Sequence, residues 1–400
     1  MIGSVRLAAI ALLFTALACG LAACFGDGDS RPGASPAPRL LVYVGTYTGG
    51  ESRGIYRFEF DPATGEATAR ELAAETENPS FLALHPAGRV LYAVNEVADF
   101  GGERTGTVSA FAIDEASGDL RLIGRQPSGG ADPCHLVVDG TGRNLLVANY
   151  NGGSVAVLPL DVDGRPQPPS AVRRHEGSGP EHARQEGPHA HSVVLDAGGR
   201  FALSADLGTD RVYIDRFDAA AGSLQPNDPD AVILEPGSGP RQLAWHPAGE
   251  YLYLINELRS MMTVFRFAPG PGGLDPIQTI TTLPEGFAGK SKAAGLAVSP
   301  DGRFLYGSNR GHDSLALFAI DARSGRLTAS GQVPSGGRTP RHFAISPGGD
   351  WLLVANQDSG TITTFHLDRA TGLPTRVGPS LAVPEPACLL FVPGRTARQP

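Results

Sequence analysis

Cysteine is scarce in this sequence, which argues against a fold held together by disulfide bonds. Two of the four cysteines, Cys19 and Cys24, lie in an apolar leader at the N-terminus. The other two, Cys134 and Cys388, begin strands of separate repeats, described below, that would lie too far apart to be bridged. We therefore expect both to be buried as small apolar residues.

Charge is also sparse, and neither sign is concentrated enough to indicate a macromolecular partner. Only 18% of the 400 residues are charged, and the net charge is −8 at pH 7. This balance offers no basic surface for nucleic acid, so no nucleic-acid partner is expected. After the leader, no apolar run is long enough to span a bilayer.

Glycine and proline are abundant, with 52 and 33 residues. This composition is typical of short strands joined by tight turns and argues against a helical protein. Residues 241–257, RQLAWHPAGEYLYLINE, illustrate the pattern, because two strand-like runs flank a Pro-Ala-Gly turn. A hairpin brings its ends together, so Arg241 and Glu257, each eight residues from Gly249, are predicted to pair.

The same hairpin recurs along the chain at intervals of roughly 50 residues, a spacing typical of propeller blades. Each copy is followed by a second pair of strand-like runs, so one repeat supplies four short strands. The turn glycines of the six complete copies are Gly88, Gly142, Gly199, Gly249, Gly302 and Gly349.

The two ends of the repeat region complete a seventh copy. Residues 387–393, ACLLFVP, match a first strand, and residues 40–48, LLVYVGTYT, match a second strand. Pairing them closes the ring and removes the unpaired edges that an open stack of sheets would expose. We therefore predict an all-β fold over residues 40–394, a seven-bladed β-propeller whose ring is closed by its N- and C-terminal strands.

The N-terminus has the pattern of a bacterial lipoprotein signal. Residues 1–24 contain a basic residue, an apolar run and the lipobox-like sequence Leu-Ala-Ala-Cys, which makes Cys24 the predicted lipid-attachment residue. Residues 25–39 are predicted to be a flexible linker. The alternative is an ordinary signal peptide with an incidental cysteine. Either way we expect export, and with the lipid we expect a monomer anchored to the cell envelope, on the periplasmic or cell-surface side.

The repeat itself separates structural positions from chemical ones. Seven residues after the turn glycine, five repeats carry Asn and one carries Asp206. A functional site would not need six copies, so these side chains are predicted to hydrogen-bond the backbone at the strand end. Residues that differ between blades are the better candidates for chemistry.

The variable positions lie eight residues before and eight residues after the turn glycine, at the open ends of the hairpins. Blades 3, 4 and 5 place His191, Arg241 with Glu257, and Arg310 there. Two guanidinium groups and an imidazole around one carboxylate favour a site for an anionic ligand at the mouth of the channel. The alternative is a salt-bridge network that only fastens the blades together.

Other polar residues are candidates for substrate binding around the same mouth. They are His135, Arg341, His342, Glu96, Gln357 and His189. His189 and His191 have a spacing that two zinc ligands could use, but no third ligand converges on them, so we expect neither metal nor cofactor. His175 and His182 lie in a polar loop that is predicted to be a solvated lip of the mouth.

The chain resembles the seven-bladed propeller lactonases, the family of propeller-type 6-phosphogluconolactonases and carboxy-cis,cis-muconate cyclases. The resemblance extends over residues 40–393 and is strongest in GPHAHSVV, GSGPRQLAWHP, YLINEL, SPDGRFLYGSNRGHDS and TPRHFAISP. It implies that His191, Arg241, Glu257 and Arg310 are catalytic, with Glu257 or His191 as the general base. It also implies that the partner is a small lactone, anionic because of the arginines.

Two departures from the family pattern bear on this expectation. Where the family usually has Asp-Ile-His in the fifth blade, this chain has Gly295, Leu296 and Ala297, and Gln242 replaces a usual histidine. These changes predict either a different substrate or reduced hydrolysis. The function is therefore expected to be that of a lactonase, with an exported ligand-binding or scaffold propeller as the alternative.

Overall fold

The computed structural model describes residues 39–392, which form seven four-stranded antiparallel sheets arranged as a propeller. The predicted all-β, seven-bladed fold is confirmed. The predicted signal sequence, the lipid-attachment residue Cys24 and nearly all of the predicted linker lie outside the described residues, as do residues 393 and 394. No helix in the described part of the chain is long and apolar enough to cross a membrane.

The strands are short, and between residues 39 and 392 they are interrupted by a single 3-10 turn, Gln357–Ser359. In chain order they are β1 (Leu40–Thr46), β2 (Gly54–Phe60), β3 (Glu71–Glu75), β4 (Leu82–Leu84), β5 (Val90–Asn95), β6 (Thr107–Ile113), β7 (Leu120–Pro127), β8 (Pro133–Val138), β9 (Asn144–Asn149), β10 (Ser154–Pro159), β11 (Ala171–Arg174), β12 (Ala190–Leu195), β13 (Phe201–Asp206), β14 (Arg211–Asp218), β15 (Ser223–Ile233), β16 (Pro240–Trp245), β17 (Tyr251–Asn256), β18 (Met261–Ala268), β19 (Gly273–Thr281), β20 (Lys292–Val298), β21 (Phe304–Arg310), β22 (Ser314–Ile320), β23 (Leu327–Pro334), β24 (Pro340–Ile345), β25 (Trp351–Asn356), β26 (Thr361–Leu367), β27 (Pro374–Ala382) and β28 (Pro386–Val392).

Each of blades 1 to 6 uses four consecutive strands, beginning with β4, and its first strand is the innermost. Blade 7 has the order β28-β1-β2-β3, so it combines the C-terminal strand with the first three strands of the chain. The register pairs Leu41 with Val392 and Val44 with Leu389. The ring is therefore closed by pairing the two ends of the described chain, as the sequence predicts.

The second strand of each blade is buried along its length because neighbouring blades cover both of its faces. In β17, all six residues of Tyr-Leu-Tyr-Leu-Ile-Asn are buried, whereas the outermost strand β19 has mostly exposed or half-buried residues. This double burial explains why the inner hairpins are continuous apolar runs rather than alternating patterns. The hydrophobic clusters accordingly lie between successive blades, as where Trp351 of blade 6 packs edge-on against Phe60 of blade 7.

The repeated positions behave as structural residues. All six turn glycines have φ between 61° and 79°, the left-handed region that a side chain disfavours. The asparagines at the strand ends donate to backbone carbonyls, for example from Asn149 to Ser128 O at 3.2 Å and from Asn309 to Thr282 O at 2.9 Å. The predicted structural role of these asparagines is confirmed.

A β-bulge occurs near the start of the first strand in six of the seven blades, all but blade 1, and this bulge sets the geometry of the channel. In blade 4, Pro240 pairs with Asn256 and Gln242 pairs with Ile255, so Arg241 is the extra residue. A bulge changes the direction of the side chain at the extra position. The extra residues of blades 2, 3, 4 and 6 are Cys134, His191, Arg241 and Arg341.

Candidate functional site

The bulges bring polar residues from separate blades into one cavity at the centre of the ring. Cys134, His191, Arg241 and Arg341, the extra residues of blades 2, 3, 4 and 6, all line it. The cavity is narrow, with a volume of about 20 Å³, and is also lined by Ser80, Phe81, Glu96, His135, Gln242, His342 and Ala387. The variable positions of the repeat therefore do converge, although not all of them reach this cavity.

The core of the site is a buried ion cluster around Glu257. Its Oε2 atom accepts from Arg241 Nε at 3.0 Å and lies 2.7 Å from Arg310 Nη2. Its Oε1 atom accepts from Arg184 Nη2 at 2.7 Å. The predicted pair of Arg241 and Glu257 is confirmed, and Arg310 joins it, but Arg184 was not expected. We call these four residues the ion cluster.

Backbone carbonyls of blade 5 hold two of these arginines. Arg241 Nη1 donates to Ala294 O at 2.7 Å, and Arg310 Nη2 donates to Ala293 O at 3.1 Å. Both carbonyls lie in the bulge between Ala293 and Leu296, next to Gly295. The two residues just before the segment that departs from the family pattern therefore supply main-chain hydrogen-bond acceptors.

The electrostatics of the ion cluster keep Glu257 ionised. Burial alone would raise the pKa of this carboxyl, but the guanidinium groups of Arg310, Arg241 and Arg184 outweigh burial and hold its pKa well below the ordinary range. Its side chain is only 3% exposed. Because both oxygens already accept charged hydrogen bonds, Glu257 is a weak base and an effective anchor for the arginines.

His191 lies beside the ion cluster but, unlike its members, carries no charge. Burial, followed by the charge of Arg241, lowers the pKa of its imidazole well below the usual value, so the ring is neutral at pH 7. Its Nδ1 atom lies 3.8 Å from Cys134 Sγ, and its ring packs edge-on against Tyr150 at 5.6 Å. Within residues 39–392, its Nε2 atom has no hydrogen-bond partner.

His189 is placed differently from His191, two residues further on. It stacks on Tyr150 with ring centroids 4.3 Å apart, and its Nδ1 and Nε2 atoms lie 3.2 Å from Tyr150 O and 3.3 Å from Glu186 Oε1. The two histidines thus contact different sides of one tyrosine ring. Over the described ranges, no group of three His, Cys, Asp or Glu side chains is positioned to hold a metal ion.

A second polar group occupies the far side of the cavity. Tyr47 OH donates to Glu96 Oε2 at 2.8 Å and accepts from Arg341 Nη2 at 2.5 Å, and Ser80 also donates to Glu96. The guanidinium of Arg341 lies 4.9 Å from the centre of the Tyr47 ring. Glu96 and Arg341 are therefore linked through a tyrosine hydroxyl, in a different arrangement from the ion cluster.

The remaining predicted candidates have mainly packing roles. His135 packs against Phe81 at 4.2 Å, and His342 Nδ1 accepts from the backbone of Leu389 at 3.1 Å. Burial lowers the pKa of both imidazoles to about 3, helped for His135 by His342 and for His342 by Arg241. Both rings face the cavity as neutral groups. Gln357 lies in the 3-10 turn and lines neither the cavity nor the groove described next.

A wider groove also borders the ion cluster. It has a volume of about 1000 Å³ and is open to solvent. Five of its lining residues are basic and one is acidic: Arg184, Arg259, Lys290, Lys292, Arg310 and Glu181. Burial and the charge of Arg184 lower the pKa of Lys292, as expected where positive charges are crowded together. The ion cluster thus borders both the narrow cavity, through Arg241, and the cationic groove, through Arg184 and Arg310.

The prediction that the loop with His175 and His182 is only a solvated lip was wrong. His182 is exposed, but the His175 side chain is fully buried and pairs with Asp206. Arg184, from the same loop, reaches Glu257. Repeat comparison could not find Arg184 because this loop has no counterpart in the other blades. Tyr150, which accepts from Arg184 at 3.2 Å, did occupy a variable position and could have been chosen on that ground.

The fold and the site together define a propeller of the lactonase type. The family described as Lactonase, 7-bladed beta-propeller, matches residues 41–391, and the chain belongs to this family.

Named relatives are similar over nearly their whole length. The 6-phosphogluconolactonase of Bacillus subtilis is 35% identical over 354 residues, covering 88% of this chain and 99% of that protein. The 6-phosphogluconolactonase of Formosa agariphila is 34% identical, covering 83% and 93%. Among solved structures, the periplasmic gluconolactonase of Pseudomonas aeruginosa is 38% identical with a TM-score of 0.83, covering 88% and 99%.

Proposed function

We propose that this protein is a lactonase that hydrolyses an anionic sugar lactone at the ion cluster. The observation that carries the proposal is the excess of positive charge there, where three guanidinium groups surround the single carboxylate of Glu257. Arg310 Nε is in addition buried without a hydrogen-bond partner among residues 39–392. Guanidinium groups in a buried site bind carboxylates, phosphates and developing oxyanions strongly.

The reaction adds water to the carbonyl carbon of the lactone and breaks the bond between that carbon and the ring oxygen. The product is an open-chain hydroxy acid. In the proposed arrangement, Arg241 and Arg310 stabilise the oxyanion that forms on the carbonyl oxygen. Arg184 and Lys292, which line the groove, bind the anionic group of the substrate.

His191 is the proposed general base. Its imidazole is neutral and Nε2 is free to take a proton from the attacking water; the resulting imidazolium then returns a proton to the departing ring oxygen. Glu257 is less suited because both of its oxygens already accept from arginine side chains. Its proposed role is to hold the guanidinium groups in place. Glu96, Arg341, His135 and His342 are proposed to shape the cavity wall. His189 is proposed to support Tyr150 by stacking, and Gln357 is proposed only as a peripheral contact.

The test is hydrolysis of a panel of anionic and neutral lactones by residues 25–400, with and without a chelator. We expect chelator-resistant turnover of an anionic lactone, with at least a hundredfold loss in Arg241→Ala. Arg376→Ala, on the outermost strand of blade 6, is the control and should keep full activity. Circular dichroism checks the fold of each variant. Full turnover in both Glu257→Gln and His191→Asn would contradict the proposal.

The alternative is a propeller that binds an anionic sugar without hydrolysing it. The departure at Gly295 and Ala297 favours it, because neither residue has a polar side chain that could act on a substrate. Calorimetric binding of an anionic lactone, without turnover and abolished in Arg241→Ala, would establish this alternative.

We also propose that the protein is exported and anchored as a monomer by a lipid on Cys24. The leader sequence supports this, and the Pseudomonas aeruginosa relative is described as periplasmic. In the full chain, Cys24→Ser should move the protein from the membrane fraction to the soluble exported fraction, and an unchanged distribution would rule out the lipid. Light scattering of residues 25–400 measures the oligomeric state.

A further inference from the structure

The loop that carries Arg184 is unusually long for a link between blades. Residues 175–189, which we call the arm, connect β11 of blade 2 to β12 of blade 3. The other links between blades have three to ten residues, and the longest of them is 282–291. A long loop without secondary structure of its own costs conformational entropy unless contacts fix it, and such loops are often functional.

The first fixed point of the arm is a buried pair between His175 and Asp206. His175 Nδ1 lies 2.7 Å from Asp206 Oδ2, and both side chains are fully buried. The imidazole also stacks on Tyr213 at 3.8 Å. At this position blades 1, 2, 4, 5 and 6 have asparagine, which donates to a carbonyl; Asp206 instead accepts, through Oδ1, from the backbone of His189 at 2.9 Å. One carboxylate thus holds both ends of the arm.

The second fixed point is Gln185, the residue after Arg184. Its side chain points away from that of Arg184. It is completely buried. Its Nε2 atom donates to Leu207 O at 2.7 Å and to Asp210 Oδ1 at 2.9 Å, and its Oε1 atom accepts from the backbone of Glu181 at 3.1 Å. A loop amide with this many buried partners fixes the backbone beside it.

Asp210 links this second fixed point to the ion cluster. Its oxygens also accept from the backbone of Gly237 at 2.6 Å and of Gly239 at 2.8 Å. Gly239 O in turn accepts from the backbone of Glu257 at 2.7 Å. The equivalent residue of blade 5, Asp313, accepts in the same way from Thr339 at 2.9 Å but from no glutamine side chain. The contact with Gln185 is therefore an addition specific to the arm.

We propose that Gln185 is a positioning residue, which together with the His175–Asp206 pair holds the arm so that Arg184 reaches Glu257. Arg184 needs this support because its side chain is 30% exposed and could otherwise turn to solvent. The consequence for substrate binding rests on the proposed lactonase function, whereas the consequence for the arm itself does not.

The test is a double-mutant cycle with Gln185→Ala, Arg184→Gln and the double variant. If Gln185 acts through Arg184, each single variant should lower kcat/KM for an anionic lactone by about tenfold, and the double variant should lower it no further than Arg184→Gln. The control is Gln278→Ala, because Gln278 makes two hydrogen bonds to Leu327 between blades 4 and 5, away from the arm. It should retain activity. Independent losses that multiply in the double variant would overturn the proposal.

Hydrogen exchange measured by mass spectrometry tests the arm without relying on catalysis. In Gln185→Ala, the amides of residues 176–188 should exchange at least tenfold faster, while those of blades 5 and 6 keep their rates. Unchanged exchange in the arm would overturn the proposal even if the enzyme assay succeeds. Faster exchange in the arm, with no lactone hydrolysed, would support the positioning role of Gln185 and refute the lactonase function. The failure of one proposal is therefore distinguishable from the failure of the other.

Discussion

Replacing Glu257 by glutamine is the most informative single change, because it removes one charge and almost no volume. In the wild type, three guanidinium groups share this carboxylate. Glu257→Gln leaves them facing a neutral amide in a region where the side chains of Arg241 and Arg310 are 6% and 16% exposed. We expect the variant to fold, because Ala293 O and Ala294 O still accept from these two arginines.

The size of the effect follows from the number of charges that lose their partner. Removing one member of a buried ion pair typically costs about 3–5 kcal/mol. Arg184 can turn towards solvent, so we expect the lower end, a loss of about 3 kcal/mol at pH 7. For a domain of this size that corresponds to a decrease of about 4 °C in Tm.

The pH dependence provides an internal check. The folded-state pKa of Glu257 lies below its ordinary value of 4.5, so its stabilising contribution is fully present above that pH and is lost as the pH falls. The difference in stability between the wild type and Glu257→Gln should therefore be largest at pH 7. Below pH 4.5 it should shrink by about 1.4 kcal/mol for each pH unit.

Urea unfolding at pH 7 and pH 3.5 measures both effects, and Glu96→Gln is the matched control. Glu96 occupies the equivalent position of blade 1 but accepts from the hydroxyl groups of Tyr47 and Ser80. A glutamine can accept from the same hydroxyls, so its loss should be about 1 kcal/mol. If Glu257→Gln costs no more than Glu96→Gln at pH 7, or if the difference does not narrow at pH 3.5, the electrostatic account is refuted.

Three further predictions concern other parts of the ring. Burial raises the pKa of the Cys134 thiol and raises that of Cys388 to about 12, so neither should react with a thiol reagent in folded residues 25–400, whereas both should react in guanidinium chloride. Asn356→Ala should lower the unfolding free energy by about 1–3 kcal/mol, because its buried amide bonds Ser335 O and Thr363; calorimetry checks this. A Cβ at Gly208 would lie 1.8 Å from Gly187 O, so Gly208→Ala should displace the arm and reduce the proposed lactonase activity at least tenfold. Gly187→Ala is the control and should keep its activity, because the space around a Cβ at Gly187 is open.

The architecture could be predicted from the sequence because it is repeated. Six copies of one hairpin give six independent indications of the same strands, and the two incomplete copies at 40–48 and 387–393 can only pair with each other. The pairing of Arg241 with Glu257 followed from counting equal distances from a turn. Both predictions rest on the repeated hairpin, because the repeat shows the same strands and the same turn several times.

The site was only partly predictable because two of its determinants are not periodic. A β-bulge, which shifts the strand register by one residue, directs His191 and Arg241 into the cavity. The hydrophobic pattern predicts the register of a strand as a whole but does not locate such a bulge. Arg184 comes from an arm that occurs once, so comparison between blades had nothing to compare it with. The acceptors in blade 5 are main-chain carbonyls of Ala293 and Ala294, which no side-chain pattern can reveal.

The strand pairing in blade 7 has a consequence for when the protein can fold. Leu41 pairs with Val392, so the contact that completes the ring joins residues from opposite ends of the chain. A growing or translocating chain can form blades 1 to 6 from neighbouring segments, but β1 has no inner partner until residues 386–392 arrive. Contacts between distant residues form slowly because the loop between them must first be ordered. Closure is therefore the last step open to the chain, and until it occurs the edge of β1 is exposed to other chains.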